Sequence, residues 1–83
     1  MNKRVGSVAI LIDHADAATI DQVNHLLTEY ADLIVGRMGI PYRERQVSII
    51  SLIVDGDNDR IGALSGRLGQ LPKVTTKSLL LTK

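Results

Sequence analysis

Gly36-Arg37-Met38-Gly39-Ile40-Pro41-Tyr42-Arg43-Glu44-Arg45 lies near the middle of an 83-residue chain whose two halves carry the same pattern. An apolar run followed by an amphipathic segment precedes it, and the same order recurs after it. Gly36 and Gly39 reach backbone angles denied to other residues, while Pro41 fixes its own φ and moves Ile40 out of the helical region. No helix passes through this stretch, and a tight connection between two strands is expected. Arg37, Arg43 and Arg45 outnumber Glu44, beside Tyr42, one of only two aromatic residues in the chain. Such a turn is either a solvated hairpin whose charges blunt a sheet edge or a basic loop that contacts an anion or a partner subunit.

Outward from the turn, the upstream half begins with a strand over residues 4–12, rich in β-branched side chains and too short for a typical helix. Its continuous apolar tail, Val8-Ala9-Ile10-Leu11-Ile12, implies burial on both faces. Asp13-His14-Ala15-Asp16 follows, with Asp16 or Thr19 placed to cap a helix. Over residues 17–30 the apolar positions Ile20, Val23, Leu27 and Tyr30 form one stripe, widened by Leu26, and Gln22, Asn24, His25 and Glu29 face water. A second strand is expected over residues 33–38.

Downstream, a third strand covers residues 46–54, with Val47, Ile49 and Ile53 on one face and Ile50, Leu52 and Val54 on the other. Asp55-Gly56-Asp57-Asn58 reads as a turn and cap. A second helix over residues 58–68 aligns Ile61, Leu64, Leu68 and the trailing Leu71, and stops at Gly69. Gly62 and Gly66 inside it cost about 1 kcal/mol each relative to alanine, so a close neighbour is expected, either the sheet or first helix of the same chain or another subunit. Leu71-Pro72-Lys73 turns the chain into a last strand over residues 74–82, with Lys77 and Lys83 suited to an exposed edge.

The order strand, helix, strand, strand, helix, strand is the ferredoxin-like βαββαβ split of the α+β class. Right-handed crossovers place the first and third strands in the middle of a four-stranded antiparallel sheet, with both helices on one face. The other face is open, yet the central strands are apolar on both sides. A second copy of the chain is the simplest cover, giving a homo-oligomer, dimer or tetramer, and edge-to-edge pairing is a further option.

Composition agrees with a single domain over residues 1–83 that gains from oligomerisation. A chain this short buries only about 60 to 65% of its unfolded surface, and the absence of cysteine removes disulfides, cysteine-based zinc sites and redox motifs. A net charge of +1 gives no global basic field for nucleic acid. Met1-Asn2-Lys3-Arg4 and the apolar run after it superficially resemble a signal peptide, but the run ends at Asp13 without a small-residue cleavage site, and no segment approaches the length of a membrane span. A soluble cytoplasmic protein is expected, with no membrane and no direct nucleic-acid contact.

The uses of this architecture separate at the residue level. RNA-recognition domains stack bases on aromatic residues of the central strands, and none is present there. Soft-metal carriers need a Cys-x-x-Cys loop, and an acylphosphatase-like enzyme needs an arginine after the first strand. Asp13, His14 and Asp16 are the only cluster resembling a metal or acid/base site, and a helix-capping loop accounts for the same residues. His25 lies too far along the helix to join them without a partner subunit. Ser51 and Ser65 have no histidine placed to activate them. No catalytic residue, metal ligand set or cofactor is identified.

Gly36-Arg37-Met38-Gly39-Ile40-Pro41-Tyr42-Arg43, Leu64-Ser65-Gly66-Arg67-Leu68-Gly69-Gln70-Leu71-Pro72 and Val23-Asn24-His25-Leu26-Leu27-Thr28-Glu29-Tyr30 together resemble the iron-only hydrogenase system regulator family. The likeness covers nearly the whole chain. That family is similar in fold to ACT domains and to the C-terminal domain of the nickel-responsive repressor, and the resemblance implies a small oligomeric sensor or accessory protein linked to iron-iron hydrogenase. Lys73 departs from the family, which more usually has glycine after Leu-Pro. The repressor's histidine and cysteine ligand set is also missing, so nickel sensing of that kind is not implied.

The expectation is a non-enzymatic homo-oligomer that binds a small-molecule effector or a protein partner. ACT-like domains bind ligands where the first strand-helix loop meets another subunit, which directs attention to Asp13, His14 and Asp16. Arg37, Tyr42, Arg43 and Arg45 follow as an anion or interface patch. The alternatives are a small dimeric ferredoxin-like enzyme with an Asp13/His14 acid-base pair, and a structural partner of a hydrogenase-assembly enzyme.

Overall fold

In the computed structural model, which describes residues 3–14 and 16–81, side-chain alternation in two long strands builds the core. Strand β1 (Lys3–Asp13) buries Val8, Ile10 and Ile12, and β3 (Val47–Asp57) buries Ile50, Leu52 and Val54, all on one face. Against that face lie α1 (Ala17–Glu29) and α2 (Asn58–Gly69), contributing Val23, Leu26 and Leu27 from the first and Ile61, Leu64 and Leu68 from the second. The edge strands are β2 (Ile34–Tyr42) and β4 (Val74–Leu81). The sheet order is β2-β3-β1-β4 and every pairing is antiparallel, the ferredoxin-like α+β arrangement. No helix among the described residues is long and apolar enough to cross a membrane. Met1, Asn2 and Ala15, the expected strand end at Thr82 and the edge lysine Lys83 lie outside the described residues.

The stretch that separates the halves is not a turn for most of its length. Strand β2 continues through Gly39, Ile40 and Pro41 to Tyr42, pairing Pro41 with Ser48 and Tyr42 with Val47. Proline is accommodated because β2 is an edge strand with a single neighbour, so a missing N–H leaves no second ladder broken. The reversal falls later, in a 3-10 turn at Arg43–Arg45 closed by Gln46, whose N–H donates to the Arg43 carbonyl at 3.1 Å. Gln46 is left-handed at φ 57° and belongs to the turn rather than the strand. Leu33, expected in the second strand, instead ends a short 3-10 turn and packs into the core.

Two further boundaries move for physical reasons. Asp55-Gly56 continues β3, and Gly56 lets the tip of the buried Leu33 side chain pack closely against the strand, where a Cβ would force that tip to move. Asp57 caps α2, accepting from the Asp59 N–H at 2.8 Å. Among the described residues, a Cβ at Gly62 or Gly66 would have nothing within 4 Å. The expected crowding against the sheet or first helix is therefore absent.

Candidate functional site

The loop after β1 is built around two backbone ties. The Asp13 N–H donates to the Lys73 carbonyl at 2.8 Å, and the His14 N–H donates to the Gln46 carbonyl at 2.8 Å. These bonds join the β1–α1 loop to the turn before β3 and to the turn before β4. His14 (φ 47°), Gln46 (φ 57°) and Lys73 (φ 68°) are the non-glycine residues with left-handed backbones among those described, and they meet at this one end of the sheet. Each such conformation costs about 1 kcal/mol or more for a residue with a Cβ. Lys73 takes a conformation that glycine adopts freely. Its side chain adds a contact glycine lacks, Nζ to Asp16 Oδ2 at 3.1 Å.

Asp16 is the cap of α1, accepting the Thr19 N–H at 2.8 Å, which resolves the choice between Asp16 and Thr19; Thr19 itself is buried. That backbone hydrogen bond, with the Thr19 side chain and Lys73 adding to it, lowers the Asp16 carboxyl to about 2. Asp16 is thus committed to helix start and loop, and it does not face the clefts described next.

Antiparallel pairing of Asp13 with Val47 brings the aspartate loop and the arginine turn together. One cleft, of about 420 Å3, opens on the sheet's uncovered face and is lined by Leu11, Asp13, Tyr42, Arg45, Val47 and Ile49. A second, of about 480 Å3, is lined by His14, Pro41, Arg43, Gln46, Val47 and Ser48. Five of the seven candidate residues, Asp13, His14, Tyr42, Arg43 and Arg45, therefore share one end of the molecule. Arg37 does not join them, because its position on β2 turns it toward α1, where Nη2 donates to Asn24 Oδ1 at 3.2 Å. Gln46, Ser48 and Val47 were not singled out from sequence. The register that places them beside His14 depends on pairing between strands distant in the chain, which no local pattern carries.

The chemistry at this end is charged and hydrogen-bonding, with Arg43 and Arg45 set against Asp13 and Glu44. Among the described residues Arg43, Arg45 and Glu44 make no ion pair, whereas Asp16, Glu29 and Asp32 are held by Lys73, Arg67 and Arg60. His14 Nε2 stands 3.7 Å from Asp13 Oδ1, beyond hydrogen-bond reach, with both side chains more than half exposed. No three His, Cys, Asp or Glu side chains among the described residues are grouped as metal ligands. His25 lies apart, in a groove between α1 and α2 with Asp21, Arg67 and Leu71.

That groove sits beside a lock between the helices. Tyr30 packs against Arg60 and Arg67, whose guanidinium carbons are 5.4 and 5.7 Å from the ring centroid. Arg60 pairs with Asp32, while Arg67 pairs with Glu29 and donates to the Tyr30 hydroxyl at 3.3 Å. The arginine hydrogen bonds hold the carboxyls of Glu29 and Asp32 below their ordinary range.

Comparison with known proteins agrees with this architecture. Residues 4–78 match the model of the TM1266-like family, described as "Iron-only hydrogenase system regulator, putative". The solved structure of the uncharacterized protein TM1266 from Thermotoga maritima is similar at 40% identity, over 98% of this chain and 100% of that one, with a TM-score of 0.92. SnoaB, a cofactor-independent oxygenase from Streptomyces nogalater, shares the fold alone, at 19% identity over 100% of this chain and 94% of that one, with a TM-score of 0.55. No curated protein matches. With a family match across nearly its whole length and a solved relative of the same shape, the chain belongs to the TM1266-like family of iron-only hydrogenase system regulators.

Proposed function

We propose that this protein is a non-enzymatic regulatory or accessory module of an iron-only hydrogenase system, working as a homo-oligomer that binds a small effector or partner protein at the loop end of its sheet. The observation that carries this reading is the uncovered sheet face. The register places Val5 and Leu11 of β1, Met38 and Ile40 of β2, Ile49 and Ile53 of β3, and Leu79 and Leu81 of β4 on that side. All but the half-buried Leu11 are exposed large hydrophobics. At the centre sit Ser7, Ala9 and Ser51, with Lys77 opposite Ala9 and Thr75 opposite Leu11, so large apolar side chains surround a smaller, partly polar middle.

So many exposed large apolar side chains on one face mark an interaction site, and a short domain without disulfides gains most from sharing such a face with its own copy. A C2 pairing would use the same patch twice. The Asp13, Tyr42 and Arg45 cleft opens at the rim of that face, so a second copy would border it, and ligand occupancy and assembly would then be linked. Size-exclusion chromatography with light scattering at micromolar concentration is expected to give a multiple of the 9.0 kDa chain mass. A clean monomer overturns the oligomer reading.

A further inference from the structure

The walls of the cleft at His14 come from three segments held in fixed relation. His14 ends the β1 side, Pro41 and Arg43 close β2, and Gln46, Val47 and Ser48 open β3. The His14 N–H to Gln46 carbonyl bond ties the first segment to the last. Both tied residues keep side chains at left-handed positions where glycine would be less strained.

Every polar side chain lining this cleft can donate a hydrogen bond. They are the guanidinium of Arg43, the carboxamide of Gln46, the hydroxyl of Ser48 and the imidazole of His14. No carboxylate lines it, since Asp13 lines the neighbouring cleft with Arg45. Arg43 makes no ion pair among the described residues and its donors are free, Glu44 and Asp13 are near in sequence and space but do not line the cleft, and Pro41 and Val47 supply apolar walls. A planar guanidinium with free donors is suited to two oxygens of one anionic group.

Resting on the ligand-binding reading above, we infer that this cleft binds the oxyanion group, phosphate or carboxylate, of a small molecule. Arg43 is the anchor, and His14, Gln46 and Ser48 supply the remaining donors. At about 480 Å3 the cleft also has room for part of the body that carries the anion.

The test is a titration of the full chain with inorganic phosphate, and separately with acetate, at constant ionic strength. Backbone amide resonances are followed by NMR. Saturable shifts at residues 14 and 43–48 are expected with at least one anion, and which anion produces them distinguishes a phosphate ligand from a carboxylate one. Arg43→Ala should weaken the response by roughly tenfold or more, the loss expected for a charge-assisted bond. Arg43→Lys should weaken it less, because charge remains and the fork does not. Arg37→Gln, which removes the same charge outside the cleft, should leave the titration unchanged. No saturable response to either anion, or a wild-type response in Arg43→Ala, overturns the assignment. Light scattering on the same samples separates the two readings. A monomer that binds phosphate refutes only the oligomer, because all these walls come from one chain, and an oligomer blind to both anions refutes only the cleft.

Discussion

Leu52 and Ile53 are neighbours in β3 that point to opposite faces, and substituting each separately distinguishes folding from assembly. Leu52 is wholly buried, whereas Ile53 is 47% exposed on the uncovered face. Full burial of an isoleucine side chain is worth about 1.5–3 kcal/mol, so covering the exposed half adds roughly 1 kcal/mol per copy. In a symmetric dimer both copies lose it, and Ile53→Lys forfeits about 2 kcal/mol, near 30-fold in dissociation constant. Two lysine ammonium groups desolvated at the contact add to that. The isolated fold should be nearly indifferent, since substitutions at exposed positions usually change stability by less than about 0.5 kcal/mol. Leu52→Ala, by contrast, should cost about 3 kcal/mol through the cavity it leaves. Light scattering across a dilution series, with urea melts of the monomeric fraction, reads both quantities. An Ile53→Lys protein that keeps the wild-type mass at every concentration would refute the view that this face is the contact.

Other outcomes follow from particular residues. Gly62→Ala and Gly66→Ala should each stabilise α2 by about 1 kcal/mol, because the helix gains propensity and nothing obstructs the new methyl; thermal melts should rise by roughly 4–8 °C per substitution. A fall in melting temperature or a change in oligomer mass would instead place a second subunit against this helix face. Gly6→Ala should destabilise by on the order of 2 kcal/mol in urea melts, since its Cβ would lie 2.4 Å from the Leu79 carbonyl oxygen and only movement of β4 relieves it. Asp16, Glu29 and Asp32 all have folded carboxyls depressed below their unfolded values. Their stabilisation is thus complete above the unfolded carboxylate range and is lost as pH falls, for Asp16 between about 4 and about 2. Acid melts of Asp16→Asn, which retains a capping oxygen but no titrating group, should show a shallower loss over that interval.

How far the chain could be read depended on whether each signal was local. Ile10 beside Leu11 and Leu52 beside Ile53 announced central strands apolar on both sides, and right-handed crossovers set their order, because both rest on periodicity and chirality. The Asp16 cap was equally local. Pro41 misled, because its lack of an N–H disqualifies it from a central strand but not from an edge, and strand position in the sheet is not a local property. Gln46 and Lys73 escaped for a related reason. Their backbones are left-handed without being glycine, and the tertiary ties at Asp13 and His14 accompany that conformation. The five residues that converge at the loop end were recognisable as polar positions at strand ends and turns, but the Asp13–Val47 register was needed to show that two separate patches are one.

Tyr30 and Tyr42 have a practical consequence for following this protein in solution. With no tryptophan or phenylalanine in the chain, all its aromatic absorption and emission comes from these two phenol rings. One is packed against arginines of the helical layer and the other stands at the mouth of a cleft beside the exposed sheet. Replacing either by leucine leaves a single intrinsic fluorophore, so loosening of the helices and events at the ligand end can be recorded separately, without attaching a dye.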